Sequence, residues 1–345
     1  MDTFLPLIYS NLESIIFVIS ASINSLLFLL ILFKSPEKIG AYRYLMLTFS
    51  GYCLIFSLVT WLGEPTSVAS GQVYIIFVRR ENPLRYDLWK HTLVCMYSTS
   101  IGILMYLIAV QFIYRYCLIC KPKMIIYFSG KYLACWLSGI LVVAVDYGVL
   151  TAFLARRTTE MESVMRETLK TEFHTNIEEV EFIGIQFYTE TANKSIDWNL
   201  KTLLLIVNVM ILMLIFGFIT VYCAFKTYQF SKSRLEQNEE NEKFNRQIFV
   251  ALVTQSCIPL IFMFLPITII IIIPLFGLSP KFLVQISAIS ISIYPILDPL
   301  AVLIIVSSYR EFFIECIRCC RPKKMAAILK NSCMTVDEGF ETEIL

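Results

Sequence analysis

Long apolar runs broken by short polar segments set the rhythm of this chain. Seven stand out: Ile15–Phe33, Tyr44–Leu62, Val94–Tyr116, Tyr132–Leu154, Thr202–Phe225, Ile248–Leu275 and Phe282–Ser307. A helix needs about 20 largely apolar residues to cross a hydrocarbon core of about 30 Å. Each run therefore predicts a membrane-spanning helix, because lipid offers no partner for backbone N–H and C=O groups outside a helix or closed barrel. The expected fold is an all-α seven-transmembrane bundle over residues 15–307, with a short segment 1–14 before it.

Polar positions inside the runs follow helical steps. In the third run Thr99, Gly102, Tyr106 and Ala109 recur at three and four residues and share one face. Small and hydroxylated groups favour helix–helix contact over lipid, so that face predicts a central helix with its small residues turned inward. Gln111 and Arg115 lie four apart near the end of the same run. The sixth run carries Pro259, Pro266 and Pro274, each of which removes a backbone hydrogen bond and predicts a kink or hinge. The seventh places Ser287, Ser290, Tyr294 and Asp298 on one face, with Pro299 directly after the aspartate. A carboxylate inside a span is expensive and marks function. It needs a polar partner, such as Asn24 of the first run.

Composition agrees with the runs. Hydrophobic residues make up 57% of the chain and charged residues 16%, and the mean hydropathy is +0.69. That excludes an ordinary soluble globule, whose apolar share is nearer half. The net charge of +2 says nothing about partners, since charge in a membrane protein matters by loop and not in total; nucleic acid is not an expected partner. Of eleven cysteines, several lie within the apolar runs and four in the tail, and Cys95 is the one expected near an outer surface; no disulfide framework emerges.

Lysine and arginine are absent from residues 1–33, whereas Lys34, Lys38 and Arg43 crowd the first loop. The positive-inside rule then places the N-terminus outside and the C-terminus inside. The second outer loop, about Ala155 to Asn199, is long and acidic. Its apolar stretch Val180–Tyr188 suggests a strand or lid, and Asn193-Lys194-Ser195 is a glycosylation sequon. Beyond the last run, residues 308–320 predict an amphipathic helix lying on the membrane lipid, with Phe312, Phe313, Cys316 and Cys320 on one side. Cys316, Cys319 and Cys320 beside Arg318, Arg321, Lys323 and Lys324 have the pattern of palmitoylated cysteines next to a polybasic patch. Residues 321–345 form the remaining tail.

These features together resemble a G-protein-coupled receptor, with departures from the rhodopsin-like type. The third run ends Phe112-Ile113-Tyr114-Arg115-Tyr116 without an acid before the arginine, Asp298-Pro299 lacks a tyrosine three residues further on, and the second outer loop has no cysteine. The chain is similar to the nematode serpentine chemoreceptors of class r, the Str family. The resemblance rests on Asn24, Lys34-Ser35-Pro36, Tyr42-Arg43-Tyr44-Leu45-Met46 and Gln111 to Tyr116. It continues through Leu252-Val253-Thr254-Gln255, Ile258-Pro259, Phe262-Met263-Phe264 with Pro266, Tyr294-Pro295, Leu297-Asp298-Pro299 and Tyr309-Arg310.

The resemblance implies an odorant-type receptor in the plasma membrane, in the sensory cilium of a neuron, that binds a small molecule and activates a heterotrimeric G protein. No cofactor or metal is implied. A pocket built from aromatic walls with few polar anchors would draw on Ser98, Thr99, Tyr106, Asn208, Phe264, Ser287, Ser290 and Tyr294. Arg115, Tyr116, Asp298, Pro299 and Asn24 are the candidates for switching and G-protein coupling. Enzymatic catalysis is disfavoured, since His91 and His174 lie in or beside outer loops with no nucleophile and base placed together in a span. A retinal protein would need a lysine inside the seventh run, and a transporter internal repeats or several buried charges. The alternative from another class is a ligand-gated odorant channel, which has its N-terminus inside.

Overall fold

The computed structural model describes residues 4–34, 41–79, 87–190, 196–237, 253–278, 280–305 and 310. The amphipathic segment after the seventh run, the three tail cysteines and Asn193 lie outside the described residues, Arg310 excepted. Among the described residues, seven helices are long and apolar enough to cross a membrane. They are α1 (Phe4–Lys34), α2 (Ala41–Gly63), α3 (Asp87–Cys120), α4 (Lys131–Leu154), α6 (Leu200–Gln237), α7 (Val253–Leu275) and α8 (Lys281–Ile305). A shorter helix, α5 (Thr159–Phe173), follows α4 outside the bundle.

Most of α3 is buried, as a central helix must be, whereas α4 and α6 bury only a sixth or so of their spans. Their exposed positions, among them Leu141, Val145 and Phe153 on α4 and Leu204, Leu214 and Phe218 on α6, are aliphatic or aromatic. Such faces suit lipid. The face of α3 carrying Thr99, Gly102 and Tyr106 does turn inward, and it packs on α4. A Cβ at Gly102 would stand 2.8 Å from the Tyr147 ring, and one at Gly148 would stand 3.2 Å from Thr99 Oγ1. At Gly139 the Tyr106 hydroxyl fills the space a side chain would need. Glycines here let the two backbones approach closely.

Between Pro259 and Pro266, α7 passes through a π-helical turn, Leu260–Phe264. Proline removes the N–H that the regular ladder requires, and the wider turn is one way the backbone re-registers.

At one end of the bundle sits a cap that the apolar runs do not announce. Strands β1 (Thr66–Ser70) and β2 (Val73–Arg79) form a hairpin between α2 and α3. Its two-residue turn is Gly71-Gln72, with Gly71 at φ +54°, a conformation glycine adopts without steric cost. Strand β3 (Val180–Gln186), from the long segment after α4, pairs antiparallel with β2. A second ribbon, β4 (Tyr188–Glu190) with β5 (Ile196–Trp198), leads into α6.

Side chains alternate across the three-stranded sheet. Val68, Val73, Ile75, Phe77, Val180 and Phe182 form a separate small core with Met161, Met165 and Leu169 of α5. Ala69, Tyr74, Ile76, Val78 and Ile183 face the other way and join the core of the bundle. The sheet is thus buried on both faces.

Two local devices hold the cap. Thr158 caps α5 by accepting from the Met161 N–H, and His174 closes it in the left-handed conformation. Arg157 donates to Glu162 Oε1 at 2.6 Å and to the carbonyls of Val180 and Ile177 at 2.9 and 3.1 Å, while lying 4.9 Å over the Phe182 ring. One guanidinium therefore ties the exit of α4 to both α5 and β3.

Candidate functional site

Beneath the sheet lies a cavity of about 100 Å³. Tyr74, Ile76, Ile183, Gly184 and Ile185 of β2 and β3 form its roof. Its walls come from Tyr97, Ser98 and Ile101 of α3, Tyr147 and Thr151 of α4, and Leu205, Ile206 and Val209 of α6. Ile267, Ile270 and Ile271 of α7 and Ile291 of α8 close it on the remaining side. Among the described residues, no charged side chain lines it.

Its few polar groups are hydroxyls. The Tyr74 phenol lies 3.0 Å from Ser67 Oγ, and burial pushes its pKa well above the ordinary range, so it remains neutral. Ser98 meets the Tyr147 hydroxyl. Thr99, Thr220, Thr227 and Thr268 return their hydroxyls to the carbonyl four residues back, at 2.7 to 2.8 Å. Thr151, buried on α4, also lines the cavity.

Of the eight side chains that the sequence nominates for ligand contact, Ser98 lines this cavity and the others lie elsewhere. Thr99 faces α4. Tyr106 gives its hydroxyl to the Trp136 carbonyl at 2.6 Å and packs its ring edge-on against Phe216. Asn208 donates to Asp146 Oδ2 at 2.9 Å, bridging α6 and α4. Phe264 packs on Gly217. Ser287 is buried and Ser290 half-buried on α8, outside the lining. Tyr294 is fully buried, edge-on to Phe49, with no partner for its hydroxyl among the described residues. A polar helical face therefore serves first as glue between helices, and the cavity is walled mainly by β-branched residues that the same reasoning takes for packing.

The expected strand over Val180–Tyr188 is present as β3 (Val180–Gln186), but the hairpin β1–β2 that pairs with it was missed. A usable signal existed: Val73-Tyr74-Ile75-Ile76-Phe77-Val78 after a glycine turn is rich in strand-forming residues. The sequence also omits Glu13, which is buried near the cap end of α1 and accepts from Ser292 of α8 at 3.2 Å.

The opposite half of the bundle holds a second polar group of residues. Arg115 is buried; its Nε and Nη2 donate to the Tyr42 hydroxyl at 3.4 and 3.3 Å, and Nη2 reaches Gln111 Oε1 at 3.5 Å. The guanidinium also stacks over Phe112 at 5.3 Å. Asp298 of α8 is buried and acts electrostatically on Arg115. The next residue, Tyr116, faces Tyr222 of α6 at a ring distance of 6.3 Å.

Asn24 does not bond Asp298, contrary to expectation. Its Nδ2 donates to the Pro295 carbonyl at 2.8 Å and to the Ser20 carbonyl at 2.9 Å. Pro299 explains the choice. Having no N–H, it cannot serve the carbonyl four residues earlier in α8, and the Asn24 amide takes that place. Ser50 of α2 returns its hydroxyl to the Asn24 carbonyl at 2.9 Å, so α1, α2 and α8 meet at this residue.

Seven apolar helices make this a multi-pass membrane protein. The roofed cavity in one half and the buried arginine and aspartate in the other give the bundle the architecture of a serpentine receptor. The family model described as serpentine type 7TM GPCR chemoreceptor Str matches residues 9–314, and the chain belongs to that family. Among curated proteins it is similar to the serpentine receptor class r-10 of Caenorhabditis briggsae, 25% identical over 295 residues that cover 84% of this chain and 86% of the relative. It is also similar to the G-protein coupled receptor str-217 of Caenorhabditis elegans, 26% identical over 306 residues and 86% of each chain. The serpentine receptor class J-38 of Caenorhabditis elegans is 20% identical over 318 residues, 88% of this chain and 92% of the relative.

Proposed function

We propose that the chain is a chemosensory receptor whose cap and N-terminus face outward, which holds a small neutral molecule under the sheet and activates a heterotrimeric G protein at the opposite end. The cavity carries this reading. A charged ligand would lose its hydration with no countercharge to replace it, at a cost of several kcal/mol, and among the described residues no charged group lines the site. Apolar cavities of roughly 150 Å³ accept benzene; one of about 100 Å³ suits a smaller ligand of roughly four non-hydrogen atoms. Thr151 and the Ser98–Tyr147 pair offer hydrogen bonds to a single oxygen or nitrogen acceptor.

Transmission would run through α8, which reaches from Ile291 in the cavity wall to Asp298 beside Arg115. A ligand that prefers one arrangement of α8 and the π-turn of α7 shifts the population by its difference in affinity for the two arrangements. The names of the relatives and the basic first loop support the orientation, a plasma-membrane location and coupling to a G protein. A sensory cilium is the expected site.

The experiment is a panel of small neutral volatile compounds applied to cells expressing the receptor with a G-protein reporter, with surface delivery measured in parallel. Thr151→Val should weaken the response to an active compound about tenfold or less, whereas Arg115→Ala should leave surface delivery intact and abolish or distort signalling. Full signalling from Arg115→Ala overturns its assigned role. A ligand-gated current with no G protein overturns the receptor reading.

A further inference from the structure

Where β3 crosses the cap end of α3, three side chains from two elements line up in a relay. His91 Nδ1 lies 3.3 Å from Glu181 Oε1, and His91 Nε2 lies 3.6 Å from Cys95 Sγ. We propose that Cys95 is a covalent site for soft carbon electrophiles such as conjugated enones, with His91 as its base and Glu181 as the residue that positions the base.

The chemistry follows from which ring nitrogen serves which neighbour. An ionised carboxylate only accepts, so Glu181 places the ring hydrogen on Nδ1 and leaves Nε2 as an acceptor turned to the thiol. A nucleophile within reach of a base that a third group orients is the arrangement that activates weak nucleophiles. The two ring nitrogens point to different partners, and among the described residues no group of three or more such side chains is placed to hold a metal ion. The arrangement therefore favours proton transfer over metal binding.

In the step itself, Sγ adds to the β-carbon of the enone while its proton passes to His91 Nε2. The π pair of the alkene moves onto the α-carbon as an enolate, which then takes the proton back from the imidazolium. One S–C and one C–H bond form, one S–H bond and one C=C π bond are lost, and no oxidant or reductant is needed.

Access is available at this seam: the side chains of His91 and Glu181 are 30% and 17% exposed, and Cys95 is half-buried. Both elements run from here to the cavity. Ser98 lies three residues beyond Cys95 on α3, and Ile183 lies two beyond Glu181 on β3, on the same strand face. The proposal stands on the relay alone and does not require any particular cavity ligand or membrane orientation.

The test uses the purified full-length receptor in detergent with N-ethylmaleimide, an activated alkene, and follows alkylation of each cysteine by peptide mass spectrometry. Cys95 should react faster than Cys135 and Cys257, which are more exposed but have no base bonded to them among the described residues. His91→Gln should slow Cys95 about tenfold or more and leave the other cysteines unchanged. Glu181→Gln should slow it in part, and Glu181→Asp should recover some of the loss. The comparison of Cys95 with Cys135 and Cys257 within the wild-type protein holds even if the His91 variant does not fold. The proposal is overturned if Cys95 is no faster than the exposed cysteines or if His91→Gln leaves its rate unchanged.

Discussion

Asn24 and Pro299 lie on different helices, α1 and α8, yet the Pro295 carbonyl couples them. The Asn24 amide donates to that carbonyl at 2.8 Å, supplying what the missing Pro299 N–H cannot. Asn24→Ala leaves the carbonyl buried with no donor, which costs about 1–3 kcal/mol in general. Interhelical hydrogen bonds measured in membranes average about 0.6 and reach about 1.7 kcal/mol, so a loss of about 1–2 kcal/mol is expected here. Pro299→Ala should change that number. It restores an N–H to α8, and the carbonyl then keeps a donor after Asn24 is truncated. In the Pro299→Ala background, Asn24→Ala should therefore cost about 1 kcal/mol less. The residual cost reflects the bond to the Ser20 carbonyl and packing against Ser50. The assay is unfolding of the detergent-purified receptor by sodium dodecyl sulfate titration, run on wild type, both single variants and the double variant. Equal costs of Asn24→Ala with proline or alanine at position 299 would refute the reasoning.

Two further outcomes concern the cap. A Cβ at Gly184 would stand 2.7 Å from Ile75 Cγ2, 3.1 Å from the Tyr74 carbonyl and 3.2 Å from Met161 Sδ, so Gly184→Val should destabilise the sheet by about 1–3 kcal/mol, seen as faster limited proteolysis of the cap. Glu178 is held below its ordinary 4.5 by the Arg166 side chain, which donates to it at 2.7 Å. A depressed carboxyl stabilises above its unfolded pKa, and the contribution fades as pH falls through the lower folded value. Protection of the amides in the turn after α5, taken relative to their intrinsic exchange rate at each pH, should fall in that acidic window, and Arg166→Ala should remove this pH dependence.

How much of this was legible in the sequence depends on which physical signal each part leaves. Membrane crossing leaves a strong one, since every residue of a span must suit lipid or a neighbouring helix. The inward face of α3 was legible too, as Thr99, Gly102 and Tyr106 repeat with the helix. What that face touches was not, because small residues announce close approach without naming the partner, and the partner is α4. Asp298 was legible as an expensive group, but its expected link to Asn24 failed for a reason visible beforehand: Pro299 creates an orphan carbonyl that competes for the same amide. The cavity was the least legible part. Half of its roof comes from a hairpin that was not read as strand, the other half from the expected strand over Val180–Tyr188, and its isoleucine walls differ in no way, at the level of sequence, from ordinary bundle packing.

The two-sided sheet imposes an alternation on how this receptor can diverge from its relatives. On the function proposed above, Tyr74 and Ile76 along β2 answer to the bound molecule, while Val73, Ile75 and Phe77 answer to α5. Adjacent letters in one short strand are then free to evolve under unrelated pressures. A lineage acquiring a new ligand would rewrite every second residue of the roof while the intervening ones keep the cap standing.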